Sequence, residues 1–480
     1  MKLGDLFASG VPSGADTLEI AGLTADSRKA RPGYLFAALK GVAAHGRDFV
    51  AQAKANGAIA VLSGGDLGVE PGVAHVVADN PRRAFALAAS VFYPGRPQTL
   101  VAVTGTNGKS STVDFLRQIW SQAGKRAASL GTLGAIGPSG VMDLGHTTPD
   151  PVAIHETLQR LADDGVTHAA MEASSHGLEQ HRMDGLAFDA AAFTNLTQDH
   201  LDYHRDMAAY REAKLKLWTL VRAEGVAVIN ADAAEGEAFE RGARARGLKV
   251  LLCGWRAPRE QALKIVQIQP RPNAQTMTLL WQGKEHTVEL PLIGEFQALN
   301  AVCAATLALA TGEAPAHVWA GLSALKPVRG RMEHVGQSVN GGHVFVDYAH
   351  TPDGLDVLLR AARPHAPGRI IVVFGCGGDR DADKRPKMGA IAARHADLAI
   401  VTDDNPRGED AAAIRAQVLK GAPGAKEIGD RAQAIREAVS MLNAGDALMI
   451  AGKGHETGQI VNGVTHPFSD QDVAKAALSS

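Results

Sequence analysis

The residues with the clearest chemical meaning lie in one short stretch. The apolar run Leu100-Val-Ala-Val-Thr104 is followed by Gly105-Thr-Asn-Gly-Lys-Ser-Ser-Thr112 and then by a helical stretch, Ser110–Ala123. Glycines let a backbone wrap phosphate oxygens, while loop amides and a helix N-terminus supply positive potential. Lys109 adds a mobile cation for β/γ-phosphates, and the Ser110 hydroxyl suits Mg²⁺. The full Walker A pattern carries glycine five residues before Gly108, where this chain has Val103. The alternative is a glycine turn before an ordinary helix. The strand–loop–helix setting favours a nucleotide site.

A second group sits beyond two further apolar runs. Glu172 follows Thr167–Met171, and Ala190–Phe193 leads into Asn195-Leu-Thr-Gln-Asp-His-Leu-Asp-Tyr-His204. If both strands share the sheet of the phosphate loop, Glu172 and His200 reach the rim that carries Ser110. A hydroxyl, a carboxylate and an imidazole there can share divalent ions that bridge phosphates. For any one of these residues alone a loop cap is the better reading, and their joint placement at strand ends favours the metal site. Lys214, within Tyr210-Arg-Glu-Ala-Lys-Leu-Lys-Leu-Trp218, reads as a lysine on a solvated helix face.

Three more loops follow strands near the C-terminus. Gly375-Cys-Gly-Gly-Asp-Arg380 is a poor dinucleotide fingerprint, because Arg380 stands where glycine or alanine belongs. Asp403-Asp-Asn-Pro-Arg407 sets a restricted Asn-Pro bend beside a guanidinium fork, which suits a carboxylate. Gly452-Lys-Gly-His-Glu456 offers close backbone approach and a carboxylate. Two arginines, an asparagine and a glutamate at one rim fit a small zwitterion, although loop caps and surface ion pairs explain them equally well. Asp347 also ends a strand, where it faces a ribose or starts a turn.

These loops need rigid supports, and the chain provides them. Short continuous apolar strands (Thr99–Val103, Thr167–Met171, Val226–Asn230, Ile370–Phe374, Leu398–Thr402, Ala447–Ala451) alternate with Ala-rich helices such as Ala411–Lys420. That pattern predicts α/β architecture with parallel sheets covered on both faces and ligands at the strands' carboxyl ends. The 480 residues suffice for about three domains. Pro/Gly punctuation at Tyr93–Pro97 and Lys326–Arg331 suggests the boundaries. Lys plus Arg total 49 against 51 Asp plus Glu, which removes the electrostatic case for nucleic-acid binding. Three dispersed cysteines form no disulfide framework, and no apolar run is long enough to span a bilayer. A cytoplasmic protein is expected.

Taken together, Thr104-Gly-Thr-Asn-Gly-Lys-Ser110, Met171-Glu-Ala-Ser-Ser-His-Gly177, Asp199-His-Leu-Asp-Tyr-His204, Gly330-Arg-Met-Glu333, Asp347-Tyr-Ala-His-Thr-Pro352 and Gly375–Arg380 resemble the Mur ligases of peptidoglycan synthesis. In that family Val103 at the Walker position is normal. The resemblance implies an α/β protein of three domains. Residues 1–92 would bind a UDP-linked substrate, and 93–328 would form a central P-loop domain with a mostly parallel sheet and helices on both faces. Residues 329–480 would form a Rossmann-like α/β domain for an amino acid.

It also implies a reaction: ATP-dependent addition of meso-2,6-diaminopimelate to UDP-N-acetylmuramoyl-L-alanyl-D-glutamate through an acyl phosphate, with Mg²⁺. By position, Gly105, Thr106, Asn107, Gly108, Lys109, Ser110 and Ser111 would bind ATP, helped by Asn300, Arg331 and Asp347. Ser110, Glu172, His200 and Lys214 would hold metal, with Lys214 as a carbamate; Lys109, His200 and Lys214 would be catalytic. Ser27, Val42, Ala43, Ala44, Thr147, Thr148, Ser174, Gln180 and Arg182 would meet the UDP-linked dipeptide. Arg380, Asp404, Asn405, Pro406, Arg407, Gly452 and Glu456 would take diaminopimelate, with Arg407 paired to the distal carboxylate that lysine lacks. The expected partners are small molecules, with no nucleic acid or membrane insertion, and a monomer is expected. Two rival readings are a folylpolyglutamate synthase-type ligase, which should lack the first domain, and a P-loop ATPase module that turns over ATP without an acceptor amine.

Overall fold

The computed structural model describes residues 1–41, 44–65, 67 and 73–479. Its contacts divide into two compact units, Met1–Leu251 with Leu307–Glu313, and Leu252–Thr306 with Ala314–Ser480.

The first unit holds two sheets. A parallel sheet is formed by β1 (Gly22–Thr24), β2 (Tyr34–Ala37), β3 (Ala58–Ser63) and β4 (Ala74–Val77), in that order. Helix Pro81–Phe92 covers it, started by the Asn80 side chain, which accepts from the Arg83 N–H, and by Pro81 in its first turn. Phe85, Ala88 and Ala89 of that helix pack into the sheet's core beside Val152 of helix Pro151–Asp163. That contact and the ion pair Arg83 Nε–Asp184 Oδ2 (3.3 Å) join residues on either side of Tyr93–Pro97 into one unit. The division therefore cuts the chain differently from the expected 1–92, 93–328 and 329–480 segments, although each segment carries its own strands.

The second sheet supports the phosphate loop. It contains β5 (Thr99–Thr104), β6 (Ala127–Gly131), β7 (Gly134–Gly137), β8 (Gly140–Met142), β9 (His168–Glu172), β10 (Phe188–Phe193) and β11 (Val221–Asn230), in the spatial order β11-β10-β5-β9-β6-β7-β8. The strands from β11 to β6 run parallel, and β7 and β8 extend the edge as antiparallel strands. Consequently β5, β9 and β10 end on one rim. The division between units falls inside β12 (Lys249–Gly254).

In the second unit β12 pairs with β13 (Ala262–Pro270), followed by antiparallel β14 (Gln275–Trp281) and β15 (Lys284–Leu290). A further sheet has the order β16 (Glu333–Gln337), β17 (His343–Asp347), β21 (Ala447–Ala451), β18 (Ile370–Phe374), β19 (Leu398–Val401) and β20 (Lys426–Glu427). All its pairs are parallel except β16–β17. Alternation along β18 sends Ile370, Val372 and Phe374 into one core and Ile371 and Val373 into another, so both faces are buried. A hairpin of β22 (Gly458–Val461) and β23 (Val464–Pro467) completes the unit. Among the described residues no helix is long and apolar enough to cross a membrane.

Candidate active site

The phosphate loop leaves β5 and enters helix Lys109–Gln122. It is pinned to the segment after β10. Thr106 N–H donates to the Asn195 carbonyl (2.9 Å), Asn107 N–H to Asn195 Oδ1 (2.9 Å), and the Thr194 hydroxyl to the Asn107 carbonyl (2.6 Å). Gly105 has φ +155°, and a Cβ there would lie 1.9 Å from Thr194 Oγ1, so this close approach admits only glycine. Lys109 curls back, its Nζ donating to the Gly105 and Thr106 carbonyls at 2.9 and 2.8 Å.

Glu172 is the last residue of β9, and it is buried. Its Oε1 accepts from the Ser110 hydroxyl at 2.8 Å and from the Thr132 N–H at 2.8 Å. This hydroxyl–carboxylate contact, made of hard oxygen donors, is chemically suited to Mg²⁺. Among the described residues no group of three or more His, Cys, Asp or Glu side chains is placed to hold a metal. The expected metal set draws only Glu172 and His200 from those types. His200 lies in the left-handed region (φ 53°), is 47% exposed, and presents its ring edge-on to His176 at 5.0 Å.

Lys214 corrects the solvated-face reading, for its side chain is 1% exposed. Helix Met207–Leu215 packs against helix Ser175–Glu179, which turns Lys214 inward. Its Nζ donates to the Gly105 carbonyl at 2.8 Å and lies 4.7 Å from the centre of the Tyr210 ring. Burial holds its amine well below the usual lysine range, and the neighbouring Lys109 charge adds to the effect.

Several expected dipeptide residues form a network on the same rim. The Thr132 hydroxyl meets that of Thr147 (2.9 Å), and the Thr148 hydroxyl donates to the Glu172 carbonyl (3.0 Å) and accepts from the Ser174 N–H (3.1 Å). Arg182 donates to the Thr148 carbonyl (2.6 Å) and the Gln180 side-chain carbonyl (2.9 Å). Gln180 and Arg182 also line a cleft of about 360 Å³ with Lys40, Gly41, Arg82, His146 and Asp150. Ser27 is not among its lining residues. Its hydroxyl donates to Gln52 Oε1 (2.7 Å) and it starts the short turn Ser27–Lys29. Ala44 closes a local turn, its carbonyl accepting from the Gly41 N–H (2.9 Å), while Val42 and Ala43 lie outside the described residues.

In the second unit Asn300, Arg331 and Asp347 are brought together. Asn300 donates to Gln297 Oε1 (3.0 Å), and Gln297 donates to the Arg331 carbonyl (2.8 Å). Asp347 accepts from the N–H groups of Met332 (2.7 Å) and Ala349 (2.8 Å). Burial pushes its carboxyl up, against the opposing pull of Arg331 and those two donors. The Arg331 guanidinium lies 4.7 Å from the centre of the Tyr348 ring.

The loops after β19 and β21 meet. Asn405 Nδ2 donates to Glu456 Oε2 at 2.9 Å, and Gly452 packs so closely on Asp404 that a Cβ would lie 2.5 Å from its Oδ2. Pro406 is buried, and its carbonyl approaches Gly378. Arg407 takes φ 52° because it pairs with the hairpin: its N–H donates to the Ile460 carbonyl (3.0 Å). Its Nη1 donates to the Gly378 carbonyl (2.9 Å). Arg380 is exposed and bonds only to the Asp379 carbonyl (3.3 Å) among the described residues. The structure thus joins Asn405 to Glu456 directly and leaves Arg380 at the periphery.

Three participants escape sequence reasoning. Thr132, in the turn after β6, bonds Glu172 but carries no motif. Tyr348 is in the fields of Glu456, Arg331, Asp404 and Arg407, and its neighbours in sequence gave the only hint. Lys453, flanked by glycines inside a noted loop, is buried against Asn405 and Glu456.

Similarity to known proteins spans the whole chain. Residues 19–104 match the description "Mur ligase family, catalytic domain", 103–308 "Mur ligase middle domain", and 330–454 "Mur ligase, glutamate ligase domain". The UDP-N-acetylmuramoyl-L-alanyl-D-glutamate–2,6-diaminopimelate ligase of Caulobacter vibrioides is 51% identical, over 98% of this chain and 97% of its own length. A solved structure with the same enzyme name is 33% identical with a TM-score of 0.77, covering 100% of this chain and 99% of that one. A folylpolyglutamate synthase from Mycobacterium tuberculosis shares the fold at 20% identity, with a TM-score of 0.62 over 77% of this chain and 92% of that one. With family matches between residues 19 and 454 and a relative 51% identical over 98% of this sequence, the chain belongs to the Mur ligase family.

Proposed function

We propose that the protein joins meso-2,6-diaminopimelate to UDP-N-acetylmuramoyl-L-alanyl-D-glutamate at the expense of ATP, in the cytoplasmic stage of peptidoglycan precursor synthesis. The observation that carries this reading is the buried Glu172 carboxylate. It accepts from Ser110 of the phosphate loop on one side and from Thr132, which meets Thr147, on the other. The residues we assign to the nucleotide and to the acid substrate share this hydrogen-bond network, which supports the reading.

In this reading a glutamyl carboxylate oxygen attacks the γ-phosphorus of ATP and the bond to ADP breaks. The diaminopimelate amine attacks the acyl phosphate carbon, loses a proton, and phosphate leaves as the amide forms. The loop Gly105–Ser111 cradles the nucleotide phosphates, and Lys109 exchanges its two carbonyl acceptors for phosphate oxygens. Asn300, Arg331 and Asp347 serve the rest of the nucleotide. Mg²⁺, held by Ser110, Glu172, His200 and a carbamylated Lys214, would neutralise charge on the transferring phosphoryl group. Arg182, Lys40 and Arg82 make the cleft basic, which suits a diphosphate and a carboxylate. Thr147, Thr148, Ser174 and Gln180 fix the dipeptide, with Ser27 and residues 42–44 at the uridine end. Glu456 accepts an ammonium and Arg407 a carboxylate, with Asp404, Asn405, Pro406, Gly452 and Arg380 around them. The chain acts as a monomer of three domains, 1–92, 93–328 and 329–480.

The test is ATP-dependent incorporation of labelled meso-diaminopimelate against lysine into the UDP-linked dipeptide. Incorporation of diaminopimelate with phosphate release that needs both acceptor and amine is expected. Phosphate release independent of either would overturn the reading.

A further inference from the structure

We propose that Lys453 is a positioning residue that sets the donor–acceptor polarity of the amino-acid pocket; this deepens the ligase reading and rests on it. Lys453 is 0% exposed. Gly452 and Gly454, at φ +117° and +55°, turn the backbone on either side so that its side chain points inward. A buried ammonium is costly unless paired, and both its acceptors are pocket side chains. Nζ donates to Asn405 Oδ1 at 2.9 Å and to Glu456 Oε2 at 3.1 Å.

The consequence for Asn405 follows from counting lone pairs. Its Oδ1 accepts from Lys453 Nζ and from the Ile460 N–H (2.9 Å), which uses both. A reversed amide would set its NH₂ against an ammonium and an N–H. Asn405 therefore faces the pocket only as a donor, with one proton already given to Glu456 Oε2 at 2.9 Å. Glu456 Oε2 takes both of those donors, and Oε1 accepts no hydrogen bond among the described residues. One donor from Asn405 beside one acceptor on Glu456 complements a carbon bearing both a carboxylate and an ammonium. Without Lys453, Glu456 keeps only its Asn405 donor among the described residues, Asn405 Oδ1 loses one of its two, and that pairing blurs.

The experiment uses the full chain and steady-state kinetics with meso-diaminopimelate and ATP varied separately. The proteins are wild type, Lys453→Met, Glu456→Gln and the double variant. Wild-type failure to ligate diaminopimelate overturns the ligase reading and this proposal with it. Given wild-type ligation, Lys453→Met should raise KM for diaminopimelate about 10- to 100-fold, the usual weight of lost charge-assisted hydrogen bonds, with KM for ATP unchanged. The effect should shrink in the Glu456→Gln background, because Lys453 acts in part through Glu456 and in part through Asn405. Should Lys453→Met not fold, Lys453→Gln, which keeps one donor, takes its place with the same expectation at smaller size. An unchanged KM for diaminopimelate, equal changes for both substrates, or full additivity with Glu456→Gln overturns the role of Lys453 while leaving the ligase reading intact.

Discussion

Lys109 and Lys214 donate to the same atom, the Gly105 carbonyl oxygen, at 2.9 and 2.8 Å. Two ammonium groups converging there repel, and burial has already lowered the affinity of Lys214 for its proton. A neutral amine is the form that reacts with CO₂, and the carbamate so formed would attract Lys109 instead of repelling it. We predict that Lys214→Ala lowers kcat by about 10²-fold or more, the scale of a lost electrostatic contact to a phosphoryl transition state. Short carboxylates should restore part of the rate. Full activity in that variant removes the carbamate assignment.

Arg407 is held with its guanidinium against the Gly378 carbonyl and its backbone in the hairpin's register. Truncating it leaves those backbone contacts in place and deletes only the fork. Arg407→Ala is expected to raise KM for diaminopimelate by about 10- to 100-fold and to leave KM for ATP within a factor of a few. Initial rates with each substrate varied in turn decide the matter, and parallel losses for both would refute the pocket assignment.

Gly131 closes β6 directly beneath Glu172. A Cβ there would lie 2.0 Å from Glu172 Oε1, the oxygen that accepts from Ser110. Gly131→Ala must push that carboxylate aside, and a displacement of about 1 Å at a reacting centre is worth about 10²-fold in rate. Because both changes act on one carboxylate, Gly131→Ala and Glu172→Gln should not add. A kcat for the double variant equal to the product of the two single losses would show that Gly131 acts elsewhere.

Much of this site could be read from sequence because its residues sit at strand ends, where an apolar run stops abruptly at Gly105, Glu172 or Asp347. Such stops mark both a structural boundary and the ligand-bearing rim of a parallel sheet. The inward turn of Lys214 could not be read, since it depends on how helix Met207–Leu215 packs on helix Ser175–Glu179. A short run of mixed polarity does not disclose that. Thr132 was hidden for another reason: its contribution is partly a backbone N–H, which every residue but proline has. The peripheral place of Arg380 likewise reflects loop geometry that the Gly375–Arg380 string does not encode.

Buried histidines make the fold less stable in acid. His155, packed in helix Pro151–Asp163, has its pKa lowered to about 4, chiefly by burial, and its Nε2 has no hydrogen-bond partner among the described residues. His334 is likewise lowered to about 4, by burial first and then by His343, whose Nδ1 lies 3.0 Å from its Nε2. The unfolded chain, with both histidines near their ordinary 6.5, binds more protons than the folded one between pH 6.5 and about 4. Stability therefore rises with pH across that window and is lost as pH falls through it. A shift of this size at His155 amounts to about 3 kcal/mol once the window is crossed. Urea unfolding of wild type and His155→Leu at pH 7.5 and pH 4.5 measures it directly. The variant should lose less stability than wild type over that interval by about 1 to 3 kcal/mol, because leucine has no proton to gain on unfolding. Identical losses would mean that His155 is not held neutral by its surroundings.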